Sequence, residues 1–542
     1  MRLVAVLLFG LTVLAEEPVD PGIVDRIKME AFDRSEVMDH LYYLAEVHGP
    51  RLTGSPEFED AANWARERLK HYGVQNVHLE HWGPFGRSWS LQQSSLELIQ
   101  PRYQALAAAP LAWSAPTDGP VTGELIIAPW KPTYRDGPKK FDEDFAAYKA
   151  KWTGKLRGKI VLLNEPKKSH QETEPQLLRL TDDQLNNLAK APAPSVKPKE
   201  NTLDDLKWPD DPEDLSKFVN SFSNSLTLQF YDFYDRIIAE RARFFAREGV
   251  EGVLLADERS RNGILFAENA GSFKSTDPLS PATFVVAAEQ YDRIARMVEK
   301  KSGAQIRMSV KAKVSDKDVD GLNIIGEIPG GDKKDEVVMI GAHFDSWQSG
   351  TGATDNGVGS AVMIEVMRIL KALNLKLDRT VRIGLWSGEE QGLFGSRAYV
   401  KEHFADPKTM RTTVDHAKFS GYLNLDNGSG KIRGIYLQGN EAMRTIAEAW
   451  LAPFRDMGAS TVSIRDTSGT DHLSFDAVGL PGFQFIQDPL DYDTVTHHSD
   501  LDTYDHAVPE DLMQASAVIA TAVYEVANRK ALLPRRALPK PQ

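Results

Sequence analysis

The chain contains no cysteine among its 542 residues. This absence excludes disulfide bonds and thiolate metal ligands together, so a bound metal ion would have to be held by histidine and carboxylate side chains. A surplus of positive charge is missing too, because the formal net charge is -13. Since phosphate backbones are bound by basic surfaces, we expect no nucleic-acid partner.

Long apolar runs are also absent. The run near the N-terminus, from Leu3 to Leu14, is shorter than the roughly 20 residues that a membrane-spanning helix needs. It follows Met1-Arg2 and precedes Ala15 and two glutamates, which is typical of a secretory signal peptide over residues 1–15; an uncleaved anchor is the alternative. We therefore expect a secreted or periplasmic protein with no integral membrane segment after signal cleavage.

The composition that remains is that of a globular protein, with 42% hydrophobic and 26% charged residues. Because one core usually supports at most roughly 250–300 residues, we expect more than one domain. The pattern changes along the chain divide it as follows: an N-terminal part (16–118), an inserted β-rich domain (119–295) with a polar surface excursion at about 166–220, a catalytic domain (296–530) and a C-terminal tail (531–542).

From Leu322 onward, predicted strands and helices alternate, which indicates an α/β fold with a mixed or parallel sheet covered on both faces. Polar residues follow directly after three of the predicted strands: His343 after 336–341, Glu389 after 380–386, and Asp426 after 422–425. Open α/β sheets place their sites at the carboxyl ends of strands. We therefore expect these residues to lie at one edge of the sheet.

Two histidines and four carboxylates occur in an order that suits a pair of divalent metal ions: His343, Asp355, Glu389, Glu390, Asp426 and His498. Five of these groups can hold two ions that share one carboxylate, and the sixth can take a proton from a water between the ions. Zinc is the metal expected from such donors, although cobalt or manganese fits them as well. The set predicts hydrolysis.

Each of these residues also has an ordinary structural explanation. A single histidine such as His343 is usually just hydrogen-bonded, but Asp345 can accept its second ring N–H and fix the tautomer. Asp355 could cap the predicted helix over 357–373. Adjacent glutamates are ordinarily solvated, yet Glu389 and Glu390 follow an apolar strand, where they would repel one another without cations. Near His498, either Asp500 or Asp502 could orient the imidazole.

These motifs resemble those of the co-catalytic di-zinc exopeptidases, the family of zinc aminopeptidases and glutamate carboxypeptidases. The segments that carry the resemblance are His343-x-Asp345-Ser346, Gly352 to Gly357, Ser387 to Ser396, Asp426, and His498-Ser499-x-x-Asp502-Thr503. Gly49 to Ser55 and Val77 to Glu80 resemble the plasma glutamate carboxypeptidase branch, and the inserted region resembles a protease-associated domain. The resemblance implies a three-layer α/β/α fold with a mixed central sheet.

The resemblance also implies two zinc ions per chain and a role for each residue. Asp355 would bridge the ions, His343 and Asp426 would complete one site, and Glu390 and His498 would complete the other. Glu389 would be the general base, and we include Asp345 among the catalytic residues as the support of His343.

Two further residues are candidate substrate contacts. His497 stands where many family members have a tyrosine, so it could donate a hydrogen bond to substrate, pack behind the site, or replace His498 as the ligand. Asp471 lies in a polar loop and could either contact substrate or close a turn.

We expect an aminopeptidase or dipeptidase that acts on short peptides. A carboxypeptidase of the plasma glutamate carboxypeptidase type is the alternative. The arginines that could bind a terminal carboxylate in that case are Arg433, Arg455 and Arg465. A metal-free receptor on the same fold and a one-zinc glutaminyl cyclase-like acyl transferase are rival interpretations. The inserted domain could cover the cleft or form a homodimer.

Overall fold

We analysed a computed structural model, which describes residues 19–135, 137–167, 175–194, 202–209, 218–219, 222 and 224–541. The predicted signal peptide lies outside these residues, as do parts of the polar excursion. Among the helices in the described ranges, none has both the length and the apolar character that crossing a bilayer requires.

The strands of the described chain vary from two to 26 residues in length. They are β1 (Gln75–Gln100), β2 (Gln104–Ala105), β3 (Ala108–Pro110), β4 (Val121–Ile127), β5 (Lys159–Leu162), β6 (Gly252–Leu255), β7 (Thr283–Val286), β8 (Gln305–Ile328), β9 (Lys333–His343), β10 (Arg379–Trp386), β11 (Ala405–Asp406), β12 (Arg411–Thr412), β13 (Phe419–Asn424), β14 (Ile432–Tyr436), β15 (Thr461–Ser463) and β16 (Gly482–Gln487).

The α-helices occur throughout the chain. They are α1 (Pro21–Asp33), α2 (Val37–Leu41), α3 (Pro56–His71), α4 (Gly137–Trp152), α5 (Asp182–Ala189), α6 (Asn224–Glu248), α7 (Ala288–Glu299), α8 (Val358–Ala372), α9 (Phe394–His403), α10 (Val414–Lys418), α11 (Arg444–Leu451), α12 (His472–Asp476) and α13 (Pro509–Asn528). Irregular helical turns cover Tyr42–Val47, Ala353–Gly357 and Tyr492–Thr496.

One large mixed sheet organises the molecule. Its strand order is β15-β14-β16-β13-β9-β10-β8, and it continues beyond β8 as β4-β5-β6-β7-β3. Strands β13, β9 and β10 are parallel, whereas β8 is antiparallel to β10. The long β1 runs antiparallel to β8 along nearly its whole length. The expected α/β fold with a mixed central sheet is confirmed.

The two faces of the sheet are covered by different cores, because successive strand residues point to opposite sides. In β9, Val338 and Ile340 enter the core that contains α1, α3, α8 and α13. Met339, between them, enters a second core with Trp386 of β10 and Phe475 of α12. The catalytic part of the chain therefore has helices on both faces of its sheet.

The region from 119 to 295 is more helical than its short β-like runs indicate. Strands β4, β5, β6 and β7 are parallel neighbours of four to seven residues each. Parallel strands require crossover connections, and helices α4 and α6 provide long ones here, of 16 and 25 residues. The expectation of a β-rich insertion is corrected accordingly: the described residues form a small α/β layer.

The described part of the polar excursion packs on the catalytic sheet. Arg179 lies 2.8 Å from both Asp488 and Asp511. The Ser463 hydroxyl of β15 donates to the main-chain oxygen of Leu188 at the end of α5. This stretch is therefore anchored by specific polar contacts.

Helix α8 starts very close to the strand end that precedes Asp426. A Cβ atom at Gly359 would lie 2.5 Å from the main-chain oxygen of Leu425. Only glycine fits at this distance, so the small start of the helix lets the turn around Asp355 approach strand β13.

Arg51 connects the N-terminal loop to the loop after β9. It is fully buried. Its guanidinium donates to four main-chain oxygens, those of Leu44, Phe344, Thr351 and Gly352, at 2.7 to 3.1 Å. Burial lowers the pKa of Arg51 to about 10 against the opposing effect of nearby carboxylates, among them Asp502 and Asp345. The loop is thus held by one buried cation.

We predict that Arg51→Met lowers the free energy of unfolding by about 3–5 kcal/mol, because it leaves buried carbonyls unsatisfied and nearby carboxylates uncompensated. Urea unfolding of the metal-free protein, followed by tryptophan fluorescence, measures the change. The control is Arg66→Met, since Arg66 pairs with the exposed Glu67 and should contribute less than about 1 kcal/mol. Equal unfolding midpoints for Arg51→Met and Arg66→Met would contradict the prediction.

Candidate metal centre

The candidate ligands meet where parallel strands end. Strand β9 ends at His343, β10 at Trp386 and β13 at Asn424. The residues just beyond these ends supply the carboxylates, since Glu389 and Glu390 follow β10 and Asp426 follows β13. The carboxyl ends of neighbouring parallel strands share one edge of a sheet, which brings these side chains together.

Two histidine–carboxylate groups share Asp355. Nε2 of His343 lies 3.2 Å from Oδ1 of Asp355 and 3.3 Å from Oδ1 of Asp426. Nε2 of His498 lies 3.4 Å from Oδ2 of Asp355 and 3.0 Å from Oε2 of Glu390. Each oxygen of Asp355 therefore faces a different histidine, with one further carboxylate on either side.

The donors fit divalent cations. Within the described chain, Oδ2 of Asp355, Oε1 of Glu390 and Oδ1 of Asp426 are buried without a hydrogen-bond partner. Buried polar oxygens are ordinarily paired, so these three need another positive or hydrogen-bonding group. Potential ligand atoms of His343, Asp355 and Glu390 also lie within 4.8 Å of one another. Imidazole nitrogens and carboxylate oxygens are the donors that zinc accepts.

The protonation behaviour of the two glutamates indicates the same need. Burial and the charge of Asp355 raise the pKa of Glu390 to about 8. Burial, with the charges of Asp426 and Asp471, raises the pKa of Glu389 well above its usual range, although His343 opposes the rise. Carboxyl groups in this position hold protons near neutral pH unless cations replace them.

The turn that carries Asp355 is fixed by Asp502. The carboxylate of Asp502 accepts hydrogen bonds from the main-chain N–H of Thr354 at 2.6 Å, from its hydroxyl at 2.8 Å, and from the N–H of Asp355 at 3.2 Å. Asp500 instead accepts from the N–H of Leu265. Neither aspartate orients the ring of His498, which corrects the expectation from the sequence.

The second nitrogen of each histidine ring has its own acceptor. Nδ1 of His343 lies 3.0 Å from the main-chain oxygen of Asp345, while the Asp345 carboxylate is 3.6 Å away. That carboxylate accepts from the Thr53 hydroxyl at 2.8 Å and from the N–H of Glu389 at 3.4 Å. Asp345 thus supports His343 with its main chain and Glu389 with its side chain.

For His498, the acceptor is Glu268, a residue that sequence reasoning missed. Its Oε1 lies 2.8 Å from Nδ1 of His498. Tyr492 was missed as well, and its hydroxyl donates to Oδ1 of Asp355 at 3.0 Å. Neither residue belongs to a recognisable motif, and Glu268 precedes its partner by 230 residues.

His497 and Asp471 both lie at the centre. Nε2 of His497 is 3.9 Å from Oδ2 of Asp355, and its ring lies beside that of His498 with centroids 3.8 Å apart. Its contact with Asp355 is therefore longer than that of His498. Asp471 is fully buried, and both its carboxylate oxygens lack a hydrogen-bond partner in the described ranges. Burial and the charges of Asp426 and Asp345 raise the pKa of Asp471 to about 7.

The sequence profile described as "Peptidase family M28" matches residues 323–523. This range contains the candidate ligands, Glu389, Asp471 and His497, but not Glu268. Over 500 residues the chain is 25% identical to carboxypeptidase Q of Mus musculus, covering 92% of this chain and 87% of the relative. It is also 31% identical to aminopeptidase YwaD of Bacillus subtilis (strain 168) over 222 residues, which are 38% of this chain and 45% of that relative.

Two solved structures share the fold. The peptidase M28 precursor of Shewanella amazonensis SB2B superposes with a TM-score of 0.65 at 22% identity, over 96% of this chain and 98% of that one. BSAP, a zinc aminopeptidase from Bacillus subtilis, gives a TM-score of 0.53 at 19% identity, over 92% and 96%. The similarity thus extends through the region between residues 119 and 295.

We predict that zinc raises the melting temperature more at pH 8 than at about pH 5.5. With pKa values of about 8 for Glu390 and about 7 for Asp471, these two groups bind more protons in the folded metal-free protein than in the unfolded chain between about pH 5 and pH 8. Their contribution to stability therefore falls as pH rises through this window, whereas zinc binding favours the deprotonated groups and compensates.

Scanning calorimetry of metal-free and zinc-loaded protein across this pH range measures the effect. The variant Glu390→Gln should flatten the pH dependence of the metal-free protein, and Glu402→Gln, on the exposed side of α9, should leave it unchanged. A pH dependence in Glu390→Gln that equals that of the wild type would show that this carboxyl does not bind a proton as expected.

Proposed function

We propose that this chain, whose residues 323–523 match the profile of peptidase family M28, is a secreted two-zinc exopeptidase that removes residues from short peptides as an aminopeptidase or dipeptidase. The observation that carries the proposal is the position of Asp355, whose two oxygens face two separate histidine–carboxylate groups. Such sharing would suit two divalent cations held side by side.

The residues that would hold the ions follow from this arrangement. Asp355 would be shared, His343 and Asp426 would hold one ion, and His498 and Glu390 the other. His498 is preferred to His497 because its Nε2 reaches both Asp355 and Glu390. When bound, zinc supplies Lewis acidity that polarises the peptide carbonyl and lowers the pKa of a water molecule.

Glu389 is assigned the proton transfers. It is partly exposed, which makes it accessible to substrate, and its raised pKa suits a group that alternates between base and acid. Its carboxylate accepts a proton from the attacking water and then donates it to the leaving amine. Asp345 positions it, because the Asp345 carboxylate accepts the N–H of Glu389.

The charge around the centre favours a substrate amino terminus over a carboxylate. The charges of Asp426 and Asp471 contribute to the raised pKa of Glu389, and the charge of Asp426 contributes to the raised pKa of Asp471, so carboxylates are concentrated there. Arg51 is buried and donates to main-chain oxygens, and Arg433 lies 2.8 Å from Asp488. Asp471 is therefore assigned to bind the substrate ammonium group, and the partly exposed His497 to donate a hydrogen bond to substrate.

A carboxypeptidase is the second candidate, and it is favoured by the similarity to carboxypeptidase Q over most of the chain. The receptor and glutaminyl cyclase interpretations are separated by metal content, since they expect no zinc and one zinc respectively. Three expectations stay predictions. They are secretion, for which residues 1–15 are the basis, the domain limits, and a homodimer.

We predict that Glu389→Gln lowers kcat by about 10²–10⁴-fold, because the amide cannot transfer the proton. The zinc content of the purified variant should equal that of the wild type. Steady-state kinetics and metal analysis measure the two quantities, with Glu402→Gln as the matched exposed control. Unchanged turnover in Glu389→Gln would remove Glu389 from the mechanism.

We further predict that acetylation of the substrate amino group abolishes cleavage, since Asp471 and its neighbours bind an ammonium group. Cleavage rates are measured for a free dipeptide, its N-acetyl form and its C-terminal amide. Together they show which peptide terminus the enzyme recognises. Cleavage of the C-terminal amide, with no cleavage of the N-acetyl form, indicates an aminopeptidase. Loss of cleavage with either blocking group indicates a dipeptidase. Loss on C-terminal amidation alone would establish the carboxypeptidase instead.

Within this panel, Asp471→Asn should raise KM for free-amine peptides by about 10–100-fold, the range for losing a hydrogen bond to a charged group. Asp466→Asn, an exposed position in the same loop, is the control and should leave KM unchanged.

A further inference from the structure

We propose that Glu268, from the inserted region, is a positioning residue of the metal centre that fixes the tautomer and orientation of His498. The proposal depends on the assignment of His498 as a metal ligand. It gives the insertion a part in metal binding, and it concerns a residue outside the range of the family match.

The contact itself is short and directional. Oε1 of Glu268 lies 2.8 Å from Nδ1 of His498. A carboxylate only accepts hydrogen bonds, so Nδ1 carries the hydrogen, and in the neutral ring Nε2 is then the nitrogen with the free lone pair. Nε2 faces Asp355 and Glu390, at 3.4 and 3.0 Å. The hydrogen bond therefore selects the tautomer that can bind a metal ion between these groups.

The side chain of Glu268 is itself held in place. Nη2 of Arg259 lies 3.4 Å from its Oε1, and the hydroxyl of Tyr234 donates to its Oε2 at 3.3 Å. Arg259 also lies 3.0 Å from Asp257. These partners belong to α6 and to the loop after β6, so the carboxylate that orients His498 is fixed from within the insertion.

The main chain on either side of Glu268 is fixed as well. The N–H of Ala267 donates to the main-chain oxygen of His498 at 2.9 Å, and Phe266 pairs with Ser499 in an antiparallel bridge. The main-chain oxygen of Glu268 accepts the N–H of Ala112 at 3.0 Å and the Gln348 side chain at 3.2 Å. Because both partners are already ordered, the contact with His498 forms at little entropic cost.

The two histidines differ in this respect. His343 is supported by the main chain of Asp345, within its own loop. His498 depends on a side chain 230 residues away. Removal of Glu268 should therefore weaken zinc binding at the site formed by His498 and Glu390. Zinc binding at the site formed by His343 and Asp426 should stay unchanged.

The experiment measures zinc affinity in Glu268→Ala, Glu268→Gln and wild type by competition with a chromophoric chelator, using zinc alone as the probe. We expect one of two zinc ions to bind about 10–100-fold more weakly in Glu268→Ala, the range known for such supporting carboxylates. Glu268→Gln should lose less zinc affinity than Glu268→Ala, because its amide oxygen can still accept the hydrogen bond from Nδ1 of His498. The control is Glu258→Gln, at an exposed position of the same region.

Thermal unfolding of the metal-free variants separates this role from a merely structural one. A structural defect would lower the melting temperature and weaken the binding of both zinc ions. A positioning role would weaken the binding of one zinc ion and change the metal-free melting temperature little. If Glu268→Ala does not fold, the near-isosteric Glu268→Gln carries the test.

Wild-type affinity for both ions in both Glu268 variants would overturn the inference and leave the proposed function intact. A wild-type protein that binds no zinc would overturn the proposed function, and the inference with it.

Discussion

Buried negative charge at the carboxyl edge of the central sheet is the constraint on which the rest of this structure depends. Asp345, Asp355, Glu390, Asp426 and Asp502 are gathered there with little exposure to solvent. Charges of one sign repel strongly where water is excluded, so such a cluster requires cations close by. Arg51 is one permanent cation beneath it. Under the proposed function, metal ions between the carboxylates would supply the remainder, so their binding would add to stability as well as to chemistry.

This constraint explains why distant parts of the chain converge at one point. Residues 49–55 bring Arg51 and Thr53 under the loop after β9. The insertion brings Glu268 to His498 from the other side. The family match covers residues 323–523 and thus contains the candidate donors with some of the groups that hold them, such as Asp502, but not Arg51 or Glu268. The centre is assembled by the whole fold.

Local patterns were sufficient to predict the framework of the site. Apolar residues at helical spacing predict a helix over 357–373, and α8 covers 358–372. His343 and Asp426 were identified because polar residues after buried strands are unusual, and the other donors from the order of histidines and carboxylates along the chain. The structure brings five of these donors together: His343, Asp355, Glu390, Asp426 and His498. Strand ends and side-chain type are local properties, which a sequence reveals directly.

The partners of these donors could not be predicted in the same way. Asp502 stands four residues after His498, yet it binds the turn around Thr354 and leaves the imidazole to Glu268. Which acceptor reaches a given ring depends on how the loops pack, and spacing along the chain does not contain that information. The extent of helix in the insertion was underestimated for a related reason, because crossovers between parallel strands require helices whatever the strands themselves look like.

The balance of charge connects these observations to function. Two divalent cations and Arg51 would together carry as many positive charges as Asp345, Asp355, Glu390, Asp426 and Asp502 carry negative ones. The carboxylates of Glu389 and Asp471 would then be left over at the same edge, and both have raised pKa values. One uncompensated carboxylate suits the transfer of a proton, and a second suits an ammonium group. The same excess of negative charge would repel a carboxylate terminus, which is the electrostatic basis of the amino-terminal specificity that we propose.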